Sequence, residues 1–282
     1  MKRYCLIAAA TAALVLSVPA QAAEIVAVDE QNNLVNFDSA TPSTFTRTIK
    51  ITGTTATLLA LDVRDSNMTL YGLGDDFRLY TINQLTGLAS AVGGALALTG
   101  TNFGFDFNTA VDALRIVSND GSNYVVNPNT GTLTTVATPV FFVAGDPNNG
   151  QTPVVTANGY RHGTGTQFAI STSQDVLVTQ GNNTGTLTTV GSLGVPVGPR
   201  TSFDIGFDGV GYLADTNNFY TVDLTTGRAT FVGNTARSVF GITALQGAVP
   251  EPATWMMMML GMAGVGFSLR RKNKQTLRVR YS

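Results

Sequence analysis

Cysteine is almost missing from this chain of 282 residues: the single copy, Cys5, lies close to the N-terminus. Once that end is removed no thiol remains, which excludes disulfides and cysteine-based metal sites. Histidine is equally scarce, with His162 alone in Gly159-Tyr-Arg-His-Gly-Thr-Gly165. One imidazole and no thiol cannot make a usual zinc site, and a Ser-His-Asp arrangement built on it finds no Gly-x-Ser-x-Gly nucleophile. His162 therefore reads as a loop residue. Charge is also thin, at 12% of residues, and its signs are segregated. Lys2 and Arg3 stand at one end, and Arg270, Arg271, Lys272, Lys274, Arg278 and Arg280 at the other. Nine basic and 17 acidic residues are left between Glu24 and Ala248, a net charge of −8. A domain of that sign repels phosphate backbones, so nucleic acid is not expected as a partner.

Two apolar runs mark the ends. Lys2-Arg3 precedes Tyr4–Val18, Pro19 breaks the run, and Ala20-Gln21-Ala22 places small residues where signal peptidase needs them. This order predicts a cleaved secretory signal helix over residues 1–22, cut between Ala22 and Ala23. Cys5 opens the run rather than closing it, so it is a poor acylation site. At the other end Pro250-Glu251-Pro252 leads into Ala253–Leu269, free of charge, and Arg270, Arg271 and Lys272 stop it. The span is at the short end of what crosses a bilayer, and the basic stop places its far end in the cytoplasm. Residues 249–274 thus read as a sorting segment with a membrane helix over 253–269, followed by a basic cytoplasmic tail, 275–282.

The tripeptide, the apolar span and the basic cluster resemble the PEP-CTERM sorting signal of Gram-negative bacteria. That resemblance implies recognition of Pro250, Glu251 and Pro252 by exosortase, a membrane-embedded cysteine protease-transpeptidase. It also implies a place at the cell surface alongside exopolysaccharide and biofilm, after transient anchoring in the inner membrane. The chain departs from the pattern by running on through Gln275–Ser282.

Between the ends, over residues 23–248, one phrase recurs. Its copies are Leu79–Gly93, Tyr124–Val136, Val176–Gly191 and Phe219–Gly233, each a β-rich run, a polar turn ending in Gly, and a second β-rich run. Gly87, Gly131, Gly185 and Gly227 supply the positive φ such a hairpin turn needs. They recur at the period of a four-stranded propeller blade, with an insertion only before Gly185. Two further short apolar runs precede each hairpin: Leu58–Val63 and Thr69–Leu73, Phe103–Phe107 and Ala113–Ser118, Pro153–Ala157 and Gln167–Ser171, Phe203–Phe207 and Gly211–Asp215. The leftover Phe240–Leu245 and Ile25–Asp29, Leu34–Phe37 and Thr44–Ile51 make a fifth unit joined from both ends of the repeat. The reading is an all-β, five-bladed β-propeller closed by its N-terminal strands, which hides sheet edges. A β-sandwich or β-solenoid is the rival, and either leaves Phe240–Leu245 without a partner. The block, with Leu70-Tyr-Gly-Leu73 and Phe103-Gly-Phe-Asp-Phe107, also looks like a bacterial family known only as a domain of unknown function; that likeness implies an exported repeat domain and no activity.

Carboxylates are the remaining chemistry. Asp75-Asp76 and the set Asp106, Asp204 and Asp208 stand out, with Asp106 and Asp204 at similar places in innermost strands. Paired carboxylates in a propeller channel could hydrolyse glycosides, whereas turn and strand-end capping is the commoner use of Asp. The loops Asp146–Gly150, Asn119–Asn123 and Asp215–Asn218 have calcium-like composition but not the EF-hand spacing. Gly93-Gly94 and Gly72-Leu-Gly74 lack the strand-to-helix setting of a phosphate loop. No catalytic, cofactor-binding or metal residue is therefore assigned. The expectation is an exported, exosortase-processed, non-enzymatic module that binds exopolysaccharide or an envelope protein. The alternative is a glycan-active hydrolase or lyase using channel-lining Asp residues.

Overall fold

The computed structural model describes residues 22–246 and 259–262. The expected signal helix with Cys5, Pro250, Glu251, Pro252, the stop Arg270, Arg271 and Lys272, and most of the span 253–269 lie outside the described residues. Among the described residues no helix is long and apolar enough to cross a membrane; 259–262 form one exposed helical turn.

Residues 24–244 make five antiparallel blades, one of them extended by a short parallel strand. Blade 1 joins β1 (Glu24–Asp29), β2 (Asn33–Asp38) and β3 (Phe45–Lys50) to the last strand, β21 (Val239–Ala244). Blade 2 holds β4 (Leu58–Arg64), β5 (Thr69–Gly74), β6 (Arg78–Ile82) and β7 (Ala89–Ala95). Blade 3 holds β8 (Phe103–Asn108), β9 (Ala113–Ser118), β10 (Asn123–Asn127) and β11 (Thr132–Ala137). Blade 4 holds β13 (Val155–Arg161), β14 (Thr166–Ser171), β15 (Val176–Gln180) and β16 (Thr186–Ser192), with β12 (Phe141–Phe142) added at its outer edge. Blade 5 holds β17 (Ser202–Ile205), β18 (Gly211–Asp215), β19 (Asn218–Val222) and β20 (Ala229–Asn234).

The innermost strands β21, β4, β8, β13 and β17 pack side by side in a closed ring around an axis. This is a five-bladed β-propeller: five separate sheets ring the axis, where a sandwich has two face-packed sheets and a solenoid an open stack. Closure pairs Ile25 with Ala244 and Ala27 with Ile242, then shifts register at Ala27/Val28 before Asp29 meets Val239. Ile25, Val26, Ala27 and Val28 are fully buried, so the closing strand is core on both faces. Burying each of its larger side chains contributes about 1.5–3 kcal/mol, which makes the joint a main source of stability.

The hairpin glycines serve two ends. Gly87, Gly131, Gly185 and Gly227 have φ of 72°, 62°, 68° and 79°, in the left-handed region. Each also lies where a Cβ would run into a carbonyl of the preceding blade, Lys50, Val92 and Gly191 for Gly87, Gly131 and Gly227, or of the link that leaves it, Pro139 for Gly185. The turn of one blade is thus seated on the outer edge of the one before it.

Two features differ from the sequence reading. The insertion before Gly185 contains β12, which pairs parallel with β16 through Phe141↔Thr186 and Phe142↔Leu187. The innermost strand of blade 4 runs on to Arg161 instead of ending at Ala157. Gly159 lies inside the strand, paired with Phe168, and Phe203 and Ile205 crowd the space a side chain there would need.

Candidate functional site

The blades share one register along the axis, set by carboxyl groups. Phe107 N–H donates to Asp62 Oδ2 (2.9 Å), Tyr160 N–H to Asp106 Oδ1 (3.2 Å), and Ala244 N–H to Asp204 Oδ2 (2.6 Å). Each carboxyl therefore reaches across to the innermost strand of the next blade. The residues preceding those donors, Asp106, Gly159 and Thr243, mark the matching positions in blades 3, 4 and 1. The resulting ring is Asp62, Asp106, Gly159, Asp204 and Thr243. Thr243 completes one more joint, its hydroxyl donating to Asp62 Oδ1 (2.8 Å).

The three carboxyls meet at the centre, with an oxygen from each lying within 4.8 Å of the others. All three residues are buried. Burial is the first cause holding Asp62 and Asp106 well above the usual carboxylate range. The Asp204 charge adds to it at Asp62, and the Asp62 and Asp204 charges add to it at Asp106. Burial raises Asp204 too, against the pull of Ala244 N–H and His162. Carboxyls this close cannot all ionise without a counter-charge. They can share protons, or they can offer three oxygens to one hard cation. Calcium takes about six to eight oxygen ligands, so this ring supplies half a shell or less.

Below the ring, toward the C-terminal ends of the innermost strands, a gap of about 10 Å³ is bordered by Asp62, Asp106, Asp204, His162, Phe207 and Thr243, among others. A gap that size holds about one water. His162 stands beside it, stacked on Phe207 (centroids 3.8 Å apart) with Nδ1 2.8 Å from Asp65 Oδ2. Burial disfavours the imidazolium, but the Asp65 carboxylate outweighs this and holds His162 above its usual range.

Above the ring the axis opens into a cavity of about 110 Å³. The cause is legible in the register. Two residues before each ring position stand Ala60, Gly104, Ala157, Ser202 and Gly241, and all five line the cavity. Five small residues at one level leave a space that larger side chains would close. Gly241 (φ 58°) also sits where a Cβ would come 2.9 Å from Ala60 Cα. At the rim the Arg200 guanidinium lies over the Phe240 ring, 5.3 Å from its centroid.

The family described as Domain of unknown function (DUF4394) matches residues 33–243, almost the whole propeller. The chain belongs to that family. This DUF4394 protein also carries the PEP-CTERM protein-sorting motif at residues 248–272, which marks it as an exported surface protein, sorted by exosortase and associated with the membrane through its C-terminal segment. No curated protein matches the sequence. Among solved structures the DUF4394 chain is similar to a protein of unknown function from Bacteroides thetaiotaomicron, at 11% identity and TM-score 0.48, covering 79% of this chain and 64% of that one. It is also similar to a gluconolactonase from Xanthomonas campestris, at 14% identity and TM-score 0.45, covering 77% and 78%. A chain of a nidogen/laminin complex is similar at 10% identity and TM-score 0.49, covering 78% and 97%.

The residues singled out in the DUF4394 sequence divide cleanly. Asp106 and Asp204 come together, and Asp62, which the sequence reading passed over inside an ordinary-looking strand, joins them. Asp208 does not: it caps a turn through Val210 N–H (3.0 Å) and accepts from Tyr212 Oη (2.6 Å). Asp76 does the same with Arg78 N–H and Tyr80 Oη, and Asp75 accepts from Thr57 N–H. Asp146, Asp120 and Asp215 likewise accept from nearby backbone N–H groups, as turn residues do. Ala22 and Ala23, the expected cleavage junction, fall immediately before β1, where Ala23 N–H donates to Ser39 Oγ (2.9 Å).

Proposed function

We propose that this protein acts outside the cytoplasm as a non-catalytic binding module of the cell surface or extracellular matrix, with exopolysaccharide or an envelope component as its partner. In this reading signal peptidase removes residues 1–22, exosortase acts at Pro250-Glu251-Pro252, and the domain 23–248 is the working part. The sorting motif supports the location. The observation that carries the non-catalytic reading is the sealed geometry of the carboxyl ring. Its spacing, within 4.8 Å, is not far from the roughly 5–5.5 Å of retaining glycosidases. Access is what it lacks. Its three members are buried, each engaged with backbone N–H of the next blade, and the gap beside them takes about one water, not a glycosidic bond.

The test is a comparison on one set of glycans. The exported protein is expected to bind members of a glycan array and to release no reducing sugar from them. Release of reducing ends that disappears in Asp106→Asn or Asp204→Asn would establish the hydrolase alternative instead.

A further inference from the structure

The cavity above the carboxyl ring is apolar within and charged at its mouth. Leu59 and Phe240 are half-buried in its wall, and Phe103, Phe105 and Phe203 keep 6%, 5% and 4% of their surface open. The polar side chains at the same depth do not reach the space. The Thr156 and Ser202 hydroxyls and both ends of the buried Asn158 amide are closed inside the wall, without hydrogen-bond partners among the described residues. A polyol seated there would find few side-chain partners for its hydroxyls, and unmatched polar groups are costly to bury. An apolar body has nothing of that kind to lose.

The mouth carries the charge. Arg200 is exposed, and it is the one charged side chain among the described residues that line the cavity. It has no ion-pair partner among the described residues. Its guanidinium lies over the Phe240 ring, 5.3 Å from the centroid, a stacking that holds the charge at the opening. Because the guanidinium stacks by its face, its edge N–H groups are left for an acceptor, and a carboxylate matches their geometry. The Asp62, Asp106 and Asp204 carboxyls lie beneath the floor, two residues further along the strands or about 6–7 Å away. Cation above and acids below orient an anionic ligand one way, with its charge outward and its apolar body inward. Size sets the last limit. At about 10–15 Å³ per water-sized particle the cavity accommodates on the order of ten non-hydrogen atoms, the size of a benzene ring with a short acid chain.

We infer that the cavity at the N-terminal ends of the innermost strands binds a small organic monocarboxylate, its compact aromatic body among the phenylalanines and its carboxylate on Arg200. This is a small-molecule site additional to the glycan contact, and it stands whether or not that contact exists.

Calorimetry and saturation-transfer NMR of the exported protein at low ionic strength test the inference, with phenylacetate, its neutral isostere phenylacetamide, and glucuronate as probes. Phenylacetate is expected to bind with a Kd on the order of 1 mM. Phenylacetamide, which lacks the charge, is expected to bind roughly three- to tenfold more weakly. Glucuronate, an acid without an apolar body, is also expected to bind more weakly than phenylacetate. Saturation is expected to reach the ring protons of phenylacetate more strongly than the methylene beside its carboxylate. Arg200→Gln changes an exposed side chain, so the fold is kept. It is expected to bring phenylacetate down to the affinity of phenylacetamide and to leave phenylacetamide within about twofold. No phenylacetate binding at roughly 10 mM, equal affinity for acid and amide, or an acid preference that survives Arg200→Gln would overturn the inference. So would glucuronate binding as tightly as phenylacetate, or stronger saturation of the methylene than of the ring.

Discussion

Replacing Asp106 by Asn removes one of three crowded carboxyls without changing the shape of the side chain. The amide oxygen can still accept from Tyr160 N–H, now at 3.2 Å, and the amide nitrogen can donate to a neighbouring carboxyl oxygen. At the 4.8 Å that bounds the cluster, two full charges repel by about 3.5 kcal/mol at an effective dielectric near 20. Proton sharing already relieves part of this in the native ring. The substitution is therefore expected to stabilise the fold by about 1–3 kcal/mol near neutral pH, a rise of roughly 3–10 °C in melting temperature for a domain of this size. The gain must shrink on acidification. Carboxyls whose folded pKa is raised contribute their full stability below the unfolded value, about 3.9, and lose it as pH rises through the folded values. On acidification the wild-type ring takes up protons of its own, and the amide has less left to relieve. Thermal melts of both proteins at pH 4 and pH 7.5, followed by circular dichroism, measure this. A variant that melts lower than wild type at pH 7.5 would refute the shared-proton account. So would a calcium-induced rise in the wild-type melting temperature that Asp106→Asn abolishes, because the carboxyls would then be serving as cation ligands.

The remaining predictions use other parts of the molecule. Across pH 5 to 8 the wild-type melting temperature is expected to fall, since the raised Asp62, Asp106 and Asp204 carboxyls and the raised His162 imidazole all lose stability in that direction; a flat or rising profile contradicts it. Gly131→Ala is expected to destabilise by about 1–3 kcal/mol, because a side chain there needs a positive φ and meets the Val92 carbonyl of blade 2. Chemical denaturation of that variant with no change in midpoint would show that the turn is not seated on its neighbour. Intact-mass analysis of the surface-exposed or released protein is expected to find an N-terminus at Ala23 and no Arg270–Lys272 cluster; a species keeping both ends would contradict the two processing steps.

The fold was legible because its signals are local and repeated. Gly87, Gly131, Gly185 and Gly227 announce hairpins, and the orphan run Phe240–Leu245 has one sensible partner, the N-terminal strand. The centre was legible only in part. Asp106 and Asp204 share a sequence context, Phe-Asp-Phe and Phe-Asp-Ile, that brought them forward together. Asp62 sits in Leu-Asp-Val, where nothing local distinguishes it, and only the ring register places it with the others. Asn158 was hidden for a different reason. The predicted strand stopped at Ala157, one residue before the buried amide, whereas the strand runs on to Arg161. The five small residues of the cavity are scattered across 182 positions from Ala60 to Gly241 and become a set only once the innermost strands are aligned through their hydrogen bonds.

The central claim, a surface module that binds glycan without cleaving it, is tested most directly by the molar mass of the cell's own exopolysaccharide. Size-exclusion chromatography with light scattering, run after prolonged incubation with the exported protein, reads binding and cleavage together. The protein is expected to elute with the polymer while the polymer's molar mass stays constant. A polymer that shortens with time, and stops shortening with Asp106→Asn, would contradict the account.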